Sequence, residues 1–211
     1  MSRCVIVGGG EMKSPVLLCS LIEPSDFIIA ADGGLQHIQT MGLAPDLVVG
    51  DFDSYTGEVP KEVECIALPR EKDDTDMLYA VRQGLSRGYR DFLLLGAMGG
   101  RLDHTLANLG VLRFLSKQGC RGCMADADCQ VQVVSQGEIT LERDERFAYL
   151  SIFALDGDAL GVTLQGVRYP LSDARLTGDY PIGCSNEIID SVARVAVRQG
   201  AVVVLRCAGE G

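Results

Sequence analysis

The chain has 211 residues, 47% of them hydrophobic, and a formal net charge of −10. This length and apolar content allow one large domain or two small ones, each with its own hydrophobic core. The negative charge argues against nucleic acid or an anionic membrane surface as a partner, because both would repel the protein. It would attract a small cationic substrate, although it would also serve solubility alone.

The first half of the sequence has the pattern of a parallel α/β sheet. From Arg3 to about Lys117, apolar runs alternate with amphipathic stretches. Strands are predicted at 4–7, 27–31, 47–49, 63–68 and 92–95, and helices at 15–22, 34–41, 75–87 and 104–116. Thr75 is expected to start a helix and Asp103 to cap the next one. Asp32 is expected to cap a helix or, alternatively, to approach a ribose or a metal-bound phosphate.

The second half has the pattern of an antiparallel β region. Short alternating segments are predicted as strands at 131–134, 138–141, 148–153, 161–164, 192–197 and 201–205. Turn signals separate them at 135–137, 156–158 and 199–200. The predicted fold class is therefore α/β, with a Rossmann-like parallel-sheet domain over residues 1–124. A smaller antiparallel β-sandwich domain is predicted over residues 125–211.

The composition also bears on location and on cysteine chemistry. No apolar run is long enough for a membrane span or a secretory signal, which predicts a cytoplasmic protein. The eight cysteines are scattered through strand-like and helix-like segments, so we expect reduced thiols. Cys120, Cys123 and Cys129 would fit part of a zinc site, but no clear fourth ligand accompanies them. We interpret them as small buried hydrophobic residues near a domain boundary.

Three polar clusters each follow a predicted strand of the first half. They are Gly50-Asp51-Phe52-Asp53-Ser54, Lys72-Asp73-Asp74-Thr75-Asp76 and Gly99-Gly100-Arg101-Leu102-Asp103-His104. The carboxyl ends of the strands in an open α/β sheet line one crevice, so these clusters are expected to converge. Carboxylates crowded together repel one another unless a cation lies between them. The sequence therefore predicts Mg²⁺-dependent phosphoryl or pyrophosphoryl transfer.

Each cluster also has a structural interpretation. The Asp51 and Asp53 segment alone could be an aspartate-rich turn, but the second cluster has more polar residues than a helix cap needs. Arg101 could bind a polyphosphate or form an ion pair, and His104 could be structural. Gly8-Gly9-Gly10 follows the first strand, yet the chain has neither a G-x-G-x-x-G nor a P-loop motif. The common phosphate-binding motifs therefore do not explain nucleotide binding here.

Five motifs in this order resemble thiamine pyrophosphokinase over nearly the whole chain. They are Asp32-Gly33-Gly34, the three clusters above, and Ser185-Asn186-Glu187 in the β-rich half. The resemblance implies a homodimer that transfers the β,γ-diphosphate of ATP to the hydroxyethyl group of thiamine and releases AMP. It also implies that the active site lies at the subunit interface, where the β-rich domain of one subunit completes the pocket of the other.

The resemblance also implies roles for particular residues. Asp51, Asp53 and Asp76 match the magnesium ligands, and the catalytic set adds Asp73, Arg101 and Asp103. ATP would contact Asp32, Gly33, Lys72, Asp73, Thr75, Arg101 and His104, and thiamine would contact Asp103, Ser185 and Asn186. Asp73 or Asp103 would take the hydroxyl proton.

Some relatives stack thiamine against a tryptophan, which this chain lacks, so either another side chain such as Tyr169 or Tyr180 serves instead or the pocket is more open. Two alternatives stay open at this point. One is a diphosphokinase for another hydroxymethyl heterocycle, such as a pterin. The other is a non-catalytic nucleotide or thiamine sensor, which would be stabilised by its ligand without forming AMP.

Overall fold

The structure is a computed structural model that describes residues 2–50, 63–68 and 73–209. It divides into two compact units, Met1–Ala127 and Asp128–Gly211, called unit 1 and unit 2 below. The strands are β1 (Cys4–Val7), β2 (Phe27–Ala31), β3 (Leu47–Gly50), β4 (Glu64–Ala67), β5 (Asp91–Leu95), β6 (Arg121–Ala125), β7 (Cys129–Glu142), β8 (Tyr149–Gln165), β9 (Leu171–Leu176) and β10 (Val192–Cys207). The helices are α1 (Pro15–Cys19), α2 (Gly34–Thr40), α3 (Asp76–Ser86) and α4 (Leu102–Lys117). Within the described ranges, no helix is both long and apolar enough to cross a lipid bilayer.

Unit 1 is built on parallel strands in the order β4-β3-β2-β1-β5-β6. The predicted parallel α/β pattern is confirmed, with element ends shifted by a few residues and with β6 added. The strand order changes direction at β1, since β2, β3 and β4 lie on one side and β5 and β6 on the other. Ligands of open α/β sheets bind outside the carboxyl ends of the strands at such a point. The topology therefore predicts a binding crevice beside the loops that follow β1 and β5.

The helices of unit 1 pack on the sheet through apolar residues at helical spacing. In α3 the buried residues are Met77, Ala80, Val81 and Gly84, which recur every three or four positions. All four residues of β1 are buried, as expected for a strand in the middle of a sheet covered by helices. This packing fixes where α3 begins, and therefore where its first polar residues lie.

The helix starts confirm one capping prediction and overturn two. The Thr75 side chain caps α3, because its Oγ1 accepts a hydrogen bond from Leu78 N at 3.2 Å. Asp32 does not cap α2, whose N-cap is Gly33 and has no side-chain cap bond. Asp103 lies inside the first turn of α4, so it is not the cap either. Its Oδ1 instead accepts from the adjacent backbone N of His104 at 3.0 Å.

Unit 2 is an antiparallel sheet in the order β7-β10-β8-β9. The antiparallel pattern is confirmed, but the predicted division into short strands is wrong. β7, β8 and β10 run for 14, 17 and 16 residues and pass straight through the predicted turns. Gln136, Asp156 and Gly200 have positive φ values of 46°, 61° and 87° there. They mark irregularities inside long strands, which bend the strand without reversing it.

The irregularity in β10 keeps one face of the strand in the core. Val195 and Val197 before it and Val202 and Val204 after it are core residues, so the inward positions change from odd to even numbers. Alternate residues of a strand share a face, and that alternation shifts where the pairing of β10 with β7 is interrupted between Val197 and Ala201. All four valines belong to the same hydrophobic cluster. Both halves of β10 therefore serve a single core, while a division into the two sheets of a sandwich stays a prediction.

The three cysteines near the unit boundary do not form a metal site with other described residues. Cys120 is buried, and Cys123 and Cys129 are partly buried. Among the described residues, no group of three or more histidine, cysteine or acidic side chains is arranged to hold a metal. Burial of Cys120 agrees with our interpretation of it as a small hydrophobic residue.

Candidate active site

A cavity of about 720 Å³ lies in unit 1 at the carboxyl ends of the parallel strands. The loops after β1, β2 and β5 and the first turns of α3 and α4 surround it. Its lining includes Gly8, Gly9, Gly10, Glu11, Asp32, Gly33, Gln36, His37, Thr75, Asp76, Gly99, Gly100, Arg101, Asp103, His104 and Asn108. This volume is typical of a site for a small molecule or cofactor. The cavity therefore lies where the strand order predicts a binding crevice.

The loop after β1 forms a glycine floor under this cavity. Gly8 N donates a hydrogen bond to Leu95 O at 2.8 Å, and Gly10 N donates to Gly96 O at 3.0 Å. A Cβ atom on Gly10 would lie 2.5 Å from Gly96 O, which no larger residue could tolerate. The backbones after β1 and β5 are therefore in direct contact. Gly8 N and Gly10 N are engaged in these bonds, and the missing side chains leave room for a bound group to approach the loop closely.

The structure brings many of the predicted site residues together. Asp32, Gly33, Thr75, Asp76, Arg101, Asp103 and His104 all line the cavity. Asp73 is described and exposed, but it is not part of the lining. Asp51, Asp53 and Lys72 lie outside the described residues.

Arg101 and Asp103 form a two-pronged ion pair at the mouth of the cavity. Arg101 Nε is 3.1 Å from Asp103 Oδ1, and Arg101 Nη2 is 2.5 Å from Asp103 Oδ2. The hydrogen bond from Arg101 lowers the pKa of the Asp103 carboxyl, and the same bond raises the pKa of Arg101. Both side chains are largely exposed, so the pair can exchange partners at little cost. The geometry of the guanidinium fork also suits a phosphate group.

His37 and Asn108 are among the lining residues that the sequence did not predict. His37 Nε2 lies 2.9 Å from Gly10 O, and buried Asn108 donates from Nδ2 to Ala97 O at 2.8 Å. These contacts tie the loops after β1 and β5 to α2 and α4. Asn108 follows His104 by four positions in a helix, so the two share a face, and that spacing was the available signal. His37 has no comparable motif around it.

The acidic residues of the cavity have the right chemistry for a hard divalent cation. Asp32, Asp76 and Asp103 supply carboxylate oxygens, the ligands that Mg²⁺ prefers in proteins. The described residues alone contain no complete ligand group of three or more such side chains. The donor set therefore fits magnesium in kind, and further ligands would have to come from elsewhere.

In unit 2, the Ser185-Asn186 segment is held by the Asn186 side chain. Asn186 is buried, its Nδ2 donates to Tyr169 O at 2.7 Å, and its Oδ1 accepts from Tyr169 N at 3.0 Å. Oδ1 also accepts from Glu187 N at 2.8 Å. The amide thus fixes the backbone of Tyr169 beside this segment, while the Tyr169 side chain is 64% exposed. Ser185 is exposed and has a positive φ of 55°.

These features define a class of protein. Unit 1 is an open α/β sheet with a glycine-floored, carboxylate-lined cavity, and unit 2 is an antiparallel β structure. The family model described as "Thiamin pyrophosphokinase, catalytic domain" matches residues 18–124. The model "Thiamin pyrophosphokinase, vitamin B1 binding domain" matches residues 136–202. The chain therefore belongs to the thiamine pyrophosphokinase family, and the family resemblance seen in its motifs is confirmed.

Individual relatives agree with this assignment. The thiamine pyrophosphokinase of Bacillus subtilis (strain 168) is 29% identical over 211 residues, which cover 98% of this chain and 99% of that protein. A crystal structure of thiamine pyrophosphokinase from Bacillus subtilis matches with a TM-score of 0.90 at 26% identity, covering 99% of this chain and all of that one. The thiamin pyrophosphokinase structure from Geobacillus thermodenitrificans matches with a TM-score of 0.84 at 26% identity, covering 99% of both chains.

Proposed function

We propose that this protein is a thiamine pyrophosphokinase, which transfers the β,γ-diphosphate of ATP to the hydroxyethyl group of thiamine and releases AMP. One observation carries the proposal. The cavity at the switch point of unit 1 collects the polar residues of the family motifs over a glycine floor, in a chain that matches both domains of the family. A binding protein would have little use for so many carboxylates beside a phosphate site.

The ATP side of the reaction belongs to unit 1. The triphosphate lies over the glycine floor, near the first turns of α3 and α4, where helix N-termini favour negative charge. Asp76, together with Asp51 and Asp53, would hold Mg²⁺. Asp51 directly follows Gly50, the last residue of β3. A Cβ atom placed on Gly50 would lie 3.1 Å from Asp32 Cα, so the end of β3 lies beside Asp32. A bound magnesium ion neutralises charge on the triphosphate.

Arg101 and Asp103 take part by exchanging partners. When the triphosphate binds, the Arg101 fork turns from Asp103 to phosphate oxygens. Asp103 then loses the hydrogen bond that depresses its pKa and becomes a better acceptor for the thiamine hydroxyl proton. The hydroxyl oxygen forms a bond to the β-phosphorus, and the bond from that phosphorus to the α,β-bridging oxygen breaks, so AMP leaves. Asp103 is favoured over Asp73 because it lines the cavity.

The thiamine side belongs to unit 2. Ser185 is exposed for a polar contact, and the Tyr169 ring is the proposed stacking partner in place of tryptophan. Asn186 acts chiefly by fixing the Tyr169 backbone, because two of its side-chain hydrogen bonds join Tyr169 N and O. A third bond joins its side chain to Glu187 N. Tyr180 is also exposed, but the Asn186 side chain is hydrogen-bonded to the backbone of Tyr169. The positive charge of thiamine favours approach to an acidic protein.

The assembly and location are extensions of the same proposal. We expect a homodimer in which unit 2 of one subunit completes the active site of the other, and we expect it in the cytoplasm. The alternative of a pterin diphosphokinase is not favoured, because the second family model is a vitamin B1 binding domain.

The test is a coupled assay of AMP release from ATP and Mg²⁺, with thiamine or a hydroxymethyl pterin as acceptor. We expect AMP release only with thiamine. AMP release with the pterin alone would overturn thiamine as the substrate, and thermal stabilisation by thiamine or ATP without AMP release would indicate a sensor.

Asp76→Asn should lower kcat by about 100-fold or more, because a metal ligand is lost. Asp74→Asn is the matched control, since Asp74 pairs with Arg82 at 3.2 Å and does not line the cavity. Equal activity of the two variants would remove Asp76 from the site.

A further inference from the structure

Two cysteines meet across the sheet of unit 2. Cys129 is the first residue of β7 and Cys207 the last residue of β10, and the two are direct cross-strand partners. They are 78 positions apart in the chain, yet their Sγ atoms are 3.3 Å apart. The structure has them as two thiols in contact. Neither residue belongs to the cavity or to the Ser185-Asn186 segment.

The backbone around this pair has the geometry that a disulfide needs. Ala208 N donates to Asp128 O at 2.8 Å, a bond that joins the residue after Cys207 to the residue before Cys129. The cysteines are therefore a non-hydrogen-bonded pair, in which Cα atoms are typically about 4.5 Å apart and side chains approach closely. Disulfides span Cα separations from about 4.4 to 6.8 Å. A bond can therefore form without separating the strands.

The pair is also within reach of reagents. Alternation along each strand places Cys129 and Cys207 on the face opposite the core cluster of unit 2. Val131 and Val203 on that face are buried, but the two cysteines lie at the ends of their strands. Both cysteines are only partly buried. Cys4 and Cys120 differ from them, because they are buried. Cys65 and Cys184 are exposed.

We propose that Cys129 and Cys207 form a reversible dithiol–disulfide site that reacts with low-molecular-weight disulfides such as oxidised glutathione. One cysteine thiolate attacks the small disulfide, forms a mixed disulfide and releases one small thiol. The other thiolate then attacks the protein sulfur of that mixed disulfide and releases the second small thiol. Two protein thiols are oxidised, one small disulfide is reduced, and the two cysteine protons end on the released thiols. In a reducing compartment the pair stays as thiols.

The bond would stabilise unit 2. It would close a loop that contains almost all of the described residues of that unit, and long loops lose the most freedom in the unfolded chain when they are cross-linked. We expect the unfolding temperature to rise by about 5 to 10 °C on oxidation.

The chemical test uses the full chain in mixtures of reduced and oxidised glutathione. Remaining thiols are alkylated, and unreduced digests are analysed by mass spectrometry. We expect a peptide pair joined through Cys129 and Cys207, which disappears when reduced glutathione is added. Cys129→Ser and Cys207→Ser should each abolish it, whereas Cys65→Ser, the exposed control, should keep it. Alkylation of both cysteines under conditions that glutathionylate Cys65 would overturn the proposal.

The physical test compares unfolding temperatures of oxidised and reduced protein. The rise should occur in the unaltered chain and in Cys65→Ser, and it should be absent in Cys129→Ser. Equal temperatures for the two redox forms, with the linked peptide present, would overturn the stabilising role. The peptide analysis of the unaltered chain keeps the site testable even where a serine variant folds poorly.

Discussion

The contact between His37 and Gly10 shows how one side chain of α2 shapes the floor of the cavity. Gly10 O can only accept a hydrogen bond, so His37 Nε2 must carry the hydrogen at this 2.9 Å contact. The bond holds the end of the glycine floor against α2. The glycine loop has no side chains of its own to fix it, so His37 adds a third contact to the two backbone hydrogen bonds that join the loop to Leu95 and Gly96.

We predict that His37→Leu raises the KM for ATP about ten-fold, which corresponds to the loss of one hydrogen bond that positions the loop. His37→Gln, which retains an N–H donor, should recover part of the affinity. The measurement is steady-state kinetics in two series. ATP is varied at saturating thiamine in one series, and thiamine is varied at saturating ATP in the other. An unchanged KM for ATP together with a raised KM for thiamine would contradict the role assigned to His37.

The site residues that could be predicted from the sequence are those whose chemistry is unusual at their position. Asp76, Arg101 and Asp103 belong to polar clusters directly after strands, and the structure places all three around the cavity. His37 and Asn108 could not be found in this way, because each lies among other polar residues of an amphipathic helix and not in a polar cluster after a strand. Their partners are backbone carbonyls 27 and 11 positions away, which only the fold brings near.

At the scale of elements, the start of α2 is fixed by contact with the end of β1. A Cβ atom on Gly34 would lie 1.8 Å from Val7 O, so the helix backbone packs directly on the strand. This close approach brings Asp32 and Gly33 to the edge of the cavity. A larger residue at position 34 would have to push α2 away from the sheet.

We predict that Gly34→Ala lowers the free energy of unfolding by at least about 3 kcal/mol, because the added methyl group meets backbone that cannot move aside. Gly110→Ala is the matched control. Gly110 lies in α4, and its Cβ position has no atom within 4 Å. Since alanine is the better helix former, this second change should stabilise the protein by about 0.5 to 1 kcal/mol. Denaturant unfolding measures both values, and a stable Gly34→Ala protein would contradict the packing argument.

The elements also show where sequence patterns stop being informative. In unit 1, the predicted strands and helices begin and end close to their predicted limits, because buried parallel strands and their helices differ clearly in periodicity, whereas β6 was not predicted. In unit 2, the segments around Gln136 and Gly200 look like turns, since the residues that tolerate positive φ are the same in turns and in bulges. Only the partner strand decides between them, and β10 pairs across its irregularity with β7 and β8 alike. That information is not local.

For the whole molecule, the proposed reaction requires residues from both units. Asp76 and Arg101 belong to unit 1, whereas Tyr169 and Ser185 belong to unit 2. The family models divide the chain in a similar way, with a catalytic region at 18–124 and a vitamin B1 binding region at 136–202. We expect a homodimer in which each site takes unit 1 from one subunit and unit 2 from the other. Such shared sites predict an outcome that sites built within one subunit do not.

The prediction concerns mixtures of two inactive variants. Asp76→Asn removes the proposed metal ligand of unit 1, and Tyr169→Ala combined with Ser185→Ala removes the proposed thiamine contacts of unit 2. In a mixed dimer with shared sites, one site would collect both defects and the other would be intact. If equal amounts of the two variants exchange subunits at random, half of the dimers are mixed. Each mixed dimer has one working site out of two, so about a quarter of the normal activity should return.

The outcome depends on the assembly in a way that single variants do not show. If each site is built within one subunit, every site of a mixed dimer retains one defect, and mixing restores nothing. Subunit exchange is therefore checked first, with a tagged copy of one variant that must capture the untagged other. Captured mixed dimers without activity would exclude the shared site, while recovery that falls on dilution, as dimers dissociate, would tie activity to the assembly.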